Sequence, residues 1–157
     1  MMEKNLNAQA SILDRLLDHD PRVASEPVQS RITARQIKDA VIRDLENLLN
    51  TRRQILVPSP EYHEVHNSLY MYGLQDFTMK NPGSPIVKQK LRQVIERTIS
   101  RFEPRLKNVT VQIEAPGQNA RDLRFRITAT MVIEPIIEPV IFDTYFDVGR
   151  GEYKIQR

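Results

Sequence analysis

The sequence predicts an α+β domain of two layers, with helices packed on one face of a small, mainly antiparallel three- to four-stranded sheet. Three observations predict it. Up to Phe102 the apolar residues recur at helical spacing, and from Leu106 they alternate with polar ones, the pattern of strands with one face in water. The strand-like runs then follow one another with only turn-forming residues between them, the order of an antiparallel meander. A length of 157 residues allows one domain with a real core.

Residues 1–30 read as an N-terminal arm. "SILDRLLD" places Ile12, Leu13, Leu16 and Leu17 on one face of a short helix, Asp20-Pro21 ends it, and "RVASEPVQSR" reads as a linker. The same apolar pattern serves folding back on the domain or docking in a partner's groove; both readings stand. Residues 31–157 form the main domain.

Its first long helix spans Ala34–Asn50. Ile37, Val41, Ile42, Leu45, Leu48 and Leu49 make one stripe with the charges opposite. Thr33 and Gln36 have the capping-box spacing, Ile32 and Ile37 that of a hydrophobic staple, and Asn50 suits a left-handed exit. A shorter helix is expected with Ser59 as cap and Pro60 in its first turn. Tyr62, Val65, Leu69 and Tyr72 form its apolar side and Gly73 stops it. Ser84-Pro85 opens the next long helix, whose buried face is Ile86, Val87, Leu91, Val94, Ile95, Ile99 and Phe102. It must stop near Phe102, because a residue before proline is pushed out of the α region and Glu103 precedes Pro104.

Three strands follow. The first carries Val109, Val111 and Ile113 inward. After a turn at Ala115–Asn119, the second carries Leu123, Phe125, Ile127, Ala129, Met131 and Ile133. Beyond Glu134-Pro135 and Glu138-Pro139, the third runs from Val140 to Val148. "EYKIQR" reads as a short tail.

Composition excludes several classes of function. No apolar run approaches the roughly 20 residues of a membrane helix, and the start of the chain lacks the apolar middle of a signal peptide. With no cysteine there are no disulfides or thiolate metal sites, which is compatible with a reducing cytoplasmic setting. The isoelectric point is near 9.3, but the net charge is only +3 and acids alternate with bases. Without a basic block or interleaved aromatic residues, a nucleic-acid partner is not expected. Most of the 23 basic residues are arginine, a residue favoured at protein interfaces.

Enzymatic and metal chemistry find little support. His63 and His66 lie three apart beside Glu61 and Glu64, whereas zinc peptidases need histidines four apart and further ligands. No metal or other cofactor is expected, and a solvated helix face accounts for the pattern. Glu96, Glu103, Asp143 and Asp147 could be paired by folding, as a glycosidase requires, but no sequence feature pairs them. No Ser/His/Asp order or glycine-rich phosphate loop is present.

The junction Glu103-Pro104-Arg105 carries most information. Proline fixes its own φ and restricts Glu103, so two opposite charges sit on a stiff corner between a helix and a strand. They either pair within the domain, stand in water for about 0–1 kcal/mol, or project outward and dock on a partner, where loss of one member costs more.

"RDLENLLNTRR" (Arg43–Arg53), "YGLQDF" (Tyr72–Phe77) and "RFEPRL" (Arg101–Leu106), in this order and spacing, resemble the TssE family of small baseplate subunits of the bacterial type VI secretion system. More distantly, the chain is similar to the baseplate wedge proteins of contractile-tailed phages. Gln75 departs from the family pattern, where proline follows Tyr-Gly-Leu.

The resemblance implies a non-enzymatic assembly role in a cytoplasmic, membrane-docked baseplate, without membrane insertion. The implied partners are the wedge subunits TssF and TssG, with TssK as a further candidate, and the sheath subunits TssB and TssC, whose polymerisation the family templates. It also implies a contact motif at Glu103, Pro104 and Arg105, with Arg101, Arg52 and Arg53 in the matching stretches as further partner-binding candidates. Charge reversal at Glu103 or Arg105 is then expected to stop sheath assembly and leave the domain folded. An edge strand is expected to accept an extended segment of the first sheath ring. A muramidase-type peptidoglycan hydrolase is the rival reading, since "lysozyme-like" is a label attached to the family.

Overall fold

The computed structural model describes residues 33–75, 84–114, 124–133, 136–147 and 150–156. The N-terminal arm, Ile32, Phe77, the turn at 115–119, Leu123, Glu134-Pro135 and Val148 lie outside the described residues.

Helix α1 spans Ala34–Asn50 and buries the expected stripe of Ile37, Val41, Ile42, Leu45, Leu48 and Leu49. Its capping box forms: Gln36 N donates to Thr33 Oγ1 and Thr33 N donates to Gln36 Oε1. Asn50 departs from expectation. The exit is made by Thr51 in an extended conformation, and the Asn50 side chain reaches Tyr153 instead.

The short second helix, α2, starts later than expected, at His63, and ends at Asn67; the turn from Ser59 to Tyr62 precedes it. A 3-10 turn follows at Leu69–Met71. Its apolar side is mostly not core: Leu69 is 81% exposed and Tyr62 is exposed, while Val65 and Tyr72 are half-buried. Five residues are too few to present a stripe that a sheet can cover. Gly73 ends the segment at φ 97°, where a Cβ would lie 2.3 Å from the Thr51 carbonyl oxygen. Glycine is required because the strand-like segments Thr51–Arg53 and Leu74 close on each other there, Leu74 N donating to Thr51 O and Arg53 N to Leu74 O.

Helix α3 spans Pro85–Phe102 with proline in its first turn. It buries Leu91, Ile95 and Ile99, while Val87, Val94 and Phe102 are half-buried; Ile86, expected inside, is 78% exposed. The helix ends at Phe102, with Glu103 out of the α region at φ −120°, ψ 81°.

The sheet is an antiparallel meander of β1 (Leu106–Ile113), β2 (Arg124–Ile133), β3 (Ile136–Asp147) and β4 (Glu152–Ile155), in that spatial order. The tail therefore supplies a fourth strand. β3 begins before Val140 and runs through Pro139. A bulge between Lys107 and Thr110 interrupts the β1–β2 register, with Asn108 at φ 53°. Leu106 and Val109 are three apart, so a regular strand would turn them to opposite faces. The extra residue restores the parity and lets Leu106 and Val111 both enter the core.

Leu106, Val111, Phe125, Ile127, Ala129, Met131, Val140, Phe142 and Ile155 meet the α1 and α3 stripes in one cluster. The other face is mixed: Arg126 donates to Asp143 at 2.6 Å across β2 and β3, and Ile137, Ile141 and Tyr145 of β3 are exposed on it. This is the two-layer α+β arrangement.

Candidate functional site

The corner after α3 follows from local chemistry. Pro104 cannot extend the helix; Glu103 N makes the last helical bond, to Ile99 O at 2.8 Å, and Leu106 N donates to Glu103 O at 3.1 Å. The chain thus enters β1 within three residues, and Val132 N on β2 donates to Arg105 O at 2.8 Å. Arg105 is anchored in the sheet and Glu103 on the helix, with exposed Pro104 between them.

The side chains do not both project outward. Glu103 is buried, with 3% exposure, and its carboxylate is gripped by Arg105. Arg105 Nε donates to Glu103 Oε1 at 2.6 Å, Arg105 Nη2 to Oε2, and Arg105 N to Oε1 at 3.2 Å. This corrects the expectation of two outward charges: a carboxylate at a helix end covered by the core finds its counter-charge two residues on, and burial without it would be costly. Charge reversal at Glu103 would place two cations in one buried site, so it is not the clean assembly variant expected above.

Arg105 carries a second acid. Its Nη2 donates to Asp44 Oδ2 at 2.6 Å, and Arg43 Nε and Nη2 donate to Asp44 Oδ1 at 3.2 and 3.1 Å. The cluster Glu103–Arg105–Asp44–Arg43 is neutral and joins α1 to the corner. The hydrogen bonds that Arg105 donates to Glu103, and then the one it donates to Asp44, raise its pKa, against burial, which works the other way. Tyr72 borders the cluster, its ring edge-on to Phe102 with centroids 5.3 Å apart. Burial raises its phenol pKa above 10.0, reinforced by the charges of Asp44 and Glu103.

One part of Arg105 still faces out. Its side chain is 27% exposed, and three of the five guanidinium N–H groups are used. The two on Nη1 have no acceptor among the described residues. What the corner offers a neighbour is Pro104 and one edge of the Arg105 guanidinium, with Glu103 holding it in place.

The remaining expected site residues lie elsewhere. Arg101 Nη1 donates to His66 O at 2.9 Å, tying the α2 segment to α3. Arg52 forms an isolated parallel bridge with Leu74. Half-buried Arg53 has an Nε with no partner among the described residues. Just beyond them Ile55, Leu56 and Val57 are exposed, Ile55 by 94%. Sequence reasoning missed Asp44 as a member of the Arg105 cluster. It lies 61 positions from Arg105, and its signal was its place in the "RDLENLLN" stretch.

The carboxylates weighed as a hydrolase pair are all engaged structurally. Glu96 accepts from Val111 N, Asp143 from Arg126 and Asp147 from Arg150 N. His66 Nε2 lies 3.2 Å from Ser59 O. Among the described residues no group of three His, Asp or Glu could hold a metal ion, and no helix is long and apolar enough to cross a membrane.

Comparison with known proteins agrees with the fold. No match was found among curated proteins. Among solved structures, a chain of "The baseplate complex from the type VI secretion system" is similar, with a TM-score of 0.51 at 19% identity, covering 73% of this chain and 97% of that one. At that identity the likeness concerns the fold. The family model for baseplate wedge protein gp25 matches residues 35–136, a span that holds α1 from its second residue, the Glu103-Pro104-Arg105 corner and the first two strands, and the chain therefore belongs to that baseplate wedge family.

Proposed function

We propose that the chain is a structural subunit of a type VI secretion baseplate. It joins wedge subunits of the TssF and TssG kind, with TssK as a further candidate neighbour, and offers the sheath subunits TssB and TssC a surface on which to begin polymerising. It acts in the cytoplasm, in a complex docked to the membrane. Family membership supports the baseplate setting, and the structural role accords with carboxylates committed to hydrogen bonds within the fold.

The observation that carries the mechanism is the Arg105 clamp. A guanidinium fixed by two carboxylates has little rotamer freedom left to lose, and its free N–H edge suits a carboxylate or backbone carbonyl of a neighbour. Pro104 sets the spacing, and Glu103 positions Arg105 rather than touching the partner. The second contact is an edge of the sheet, open to an extended segment of the sheath.

A pull-down of the TssF–TssG pair by the full chain tests this, with wild type compared with Arg105→Lys and Pro104→Asp. Circular dichroism establishes that each variant is folded. Folded variants that capture the pair as well as wild type does would contradict the proposal.

A further inference from the structure

The outer face of the sheet has two unlike halves. Alternate side chains of a strand share a face, so Ile137, Pro139 and Ile141 of β3 stand away from the helices, opposite Val132, Thr130 and Thr128 of β2. No charge stands among these six. The charged half begins beyond them, with Arg126 and Asp143. In the uncharged half Ile137 is 71% exposed and Ile141 56%; Pro139 and Thr128 are exposed, and Val132 and Thr130 half-buried. Large apolar side chains gathered on one exposed face mark a surface that something covers, and no described residue covers this one.

Helix α1 brings the start of the domain to this end of the sheet. Its last residue, Asn50, donates to Tyr153 O, and Tyr153 opposes Phe146 of β3. One turn earlier Glu46 accepts from Ile155 N, and Ile155 opposes Thr144. Earlier again, Asp44 meets Arg105, whose carbonyl accepts from Val132 N, and Val132 opposes Ile137. The helix therefore runs in the same sense as β3. Its first residue, about 15 Å before Asp44 at 1.5 Å per residue, lies at the end where β3 begins. Residues 1–32 join the domain there.

Those residues hold a fitting occupant. Ile12, Leu13, Leu16 and Leu17 share one face at helical spacing. Two helical turns, residues 11–18, span about 12 Å, and Ile137 to Ile141 is about 13 Å of strand. Residues 18–32 reach about 50 Å when extended, against about 20 Å for the depth of one helix layer and the sheet. A short tether also holds its segment at an effective concentration of about millimolar, which favours the chain's own arm over a second copy.

We infer that the N-terminal arm folds back around the end of the sheet and lays Ile12, Leu13, Leu16 and Leu17 on the uncharged half of the outer face, against Ile137 and Ile141. Of the two readings that the apolar pattern of the arm allows, folding back on the domain is the one for which the sheet has a place.

The chain has no cysteine, so an engineered pair reports on this contact without interference. In the full chain, Leu16→Cys with Ile141→Cys should close a disulfide within one molecule under glutathione disulfide. It should do so at least about tenfold faster than Leu16→Cys with Leu69→Cys, whose second position is exposed in the 3-10 turn after α2. Equal rates would overturn the inference, and closure only between molecules would overturn it in favour of a second copy. Amide hydrogen exchange reads the same contact without a cross-link. Leu13, Leu16 and Leu17 should exchange at least about tenfold slower than in an unfolded chain. Ile137→Asp combined with Ile141→Asp should return them to the unfolded rate while Leu45 of α1 stays protected. Arm amides at the unfolded rate in wild type, or protection that survives the two aspartates, would contradict the docking.

Discussion

Arg105 holds the Glu103 carboxylate through both oxygens and, with the same guanidinium, binds Asp44 of α1. One cation thereby fixes three elements: the end of α3, the start of β1 and the middle of α1. In the proposed function the same residue also meets a neighbour, so a variant of the corner can fail through folding or through binding.

Glu103→Ala should therefore be a stability variant. It leaves a partly buried Arg105 with half its partners, and about 3 kcal/mol should be lost. Asp44→Ala, at a more exposed carboxylate, should cost about 1 kcal/mol. Urea unfolding of the two single variants and the double one gives both figures and their coupling. A Glu103→Ala domain as stable as wild type would remove the clamp from the account.

Tyr72 predicts a limit at alkaline pH. Its folded-state pKa is raised, by burial first and by Asp44 and Glu103 next. The folded form thus binds the proton more tightly, and stability is fully present below pH 10 and declines as pH rises above it. Thermal melts from pH 8 to 11.5 should show that decline, and Tyr72→Phe should reduce it. An unchanged slope in the variant would assign the decline to other groups.

Asn108 sits in the left-handed region within the bulge. Asparagine tolerates that conformation and a β-branched residue does not. Asn108→Val should cost about 1–2 kcal/mol and Asn108→Gly almost nothing, measured by chemical denaturation. Equal effects of the two would mean that the bulge relaxes without difficulty.

Thr144 places a hydroxyl in the core with no partner among the described residues. Thr144→Val should stabilise by about 1 kcal/mol, seen as a higher melting temperature. A lower one would point to an acceptor beyond the described residues.

Legibility in the sequence tracked the range of each interaction. The Thr33–Gln36 capping box and the stop at Glu103-Pro104 are local, and both were readable. The bulge was encoded in the three-residue step from Leu106 to Val109, yet period counting from Val109 passed over it. β4 is four residues long, too short to show a period. Asp44 meets Arg105 across 61 positions and Asn50 meets Tyr153 across 103; composition and spacing carry no trace of such pairs. The expectation for Glu103 missed because a proline corner stiffens two charges without deciding which way they face.

In the proposed function Arg105, held by Glu103, reaches a neighbour through its free guanidinium edge. The most direct test is the affinity of the full chain for the TssF–TssG pair by calorimetry, wild type against Arg105→Lys, with both folded by circular dichroism. Lysine keeps the charge and loses the fork, so binding should weaken by at least about tenfold. Equal affinity in the two folded proteins would contradict the account.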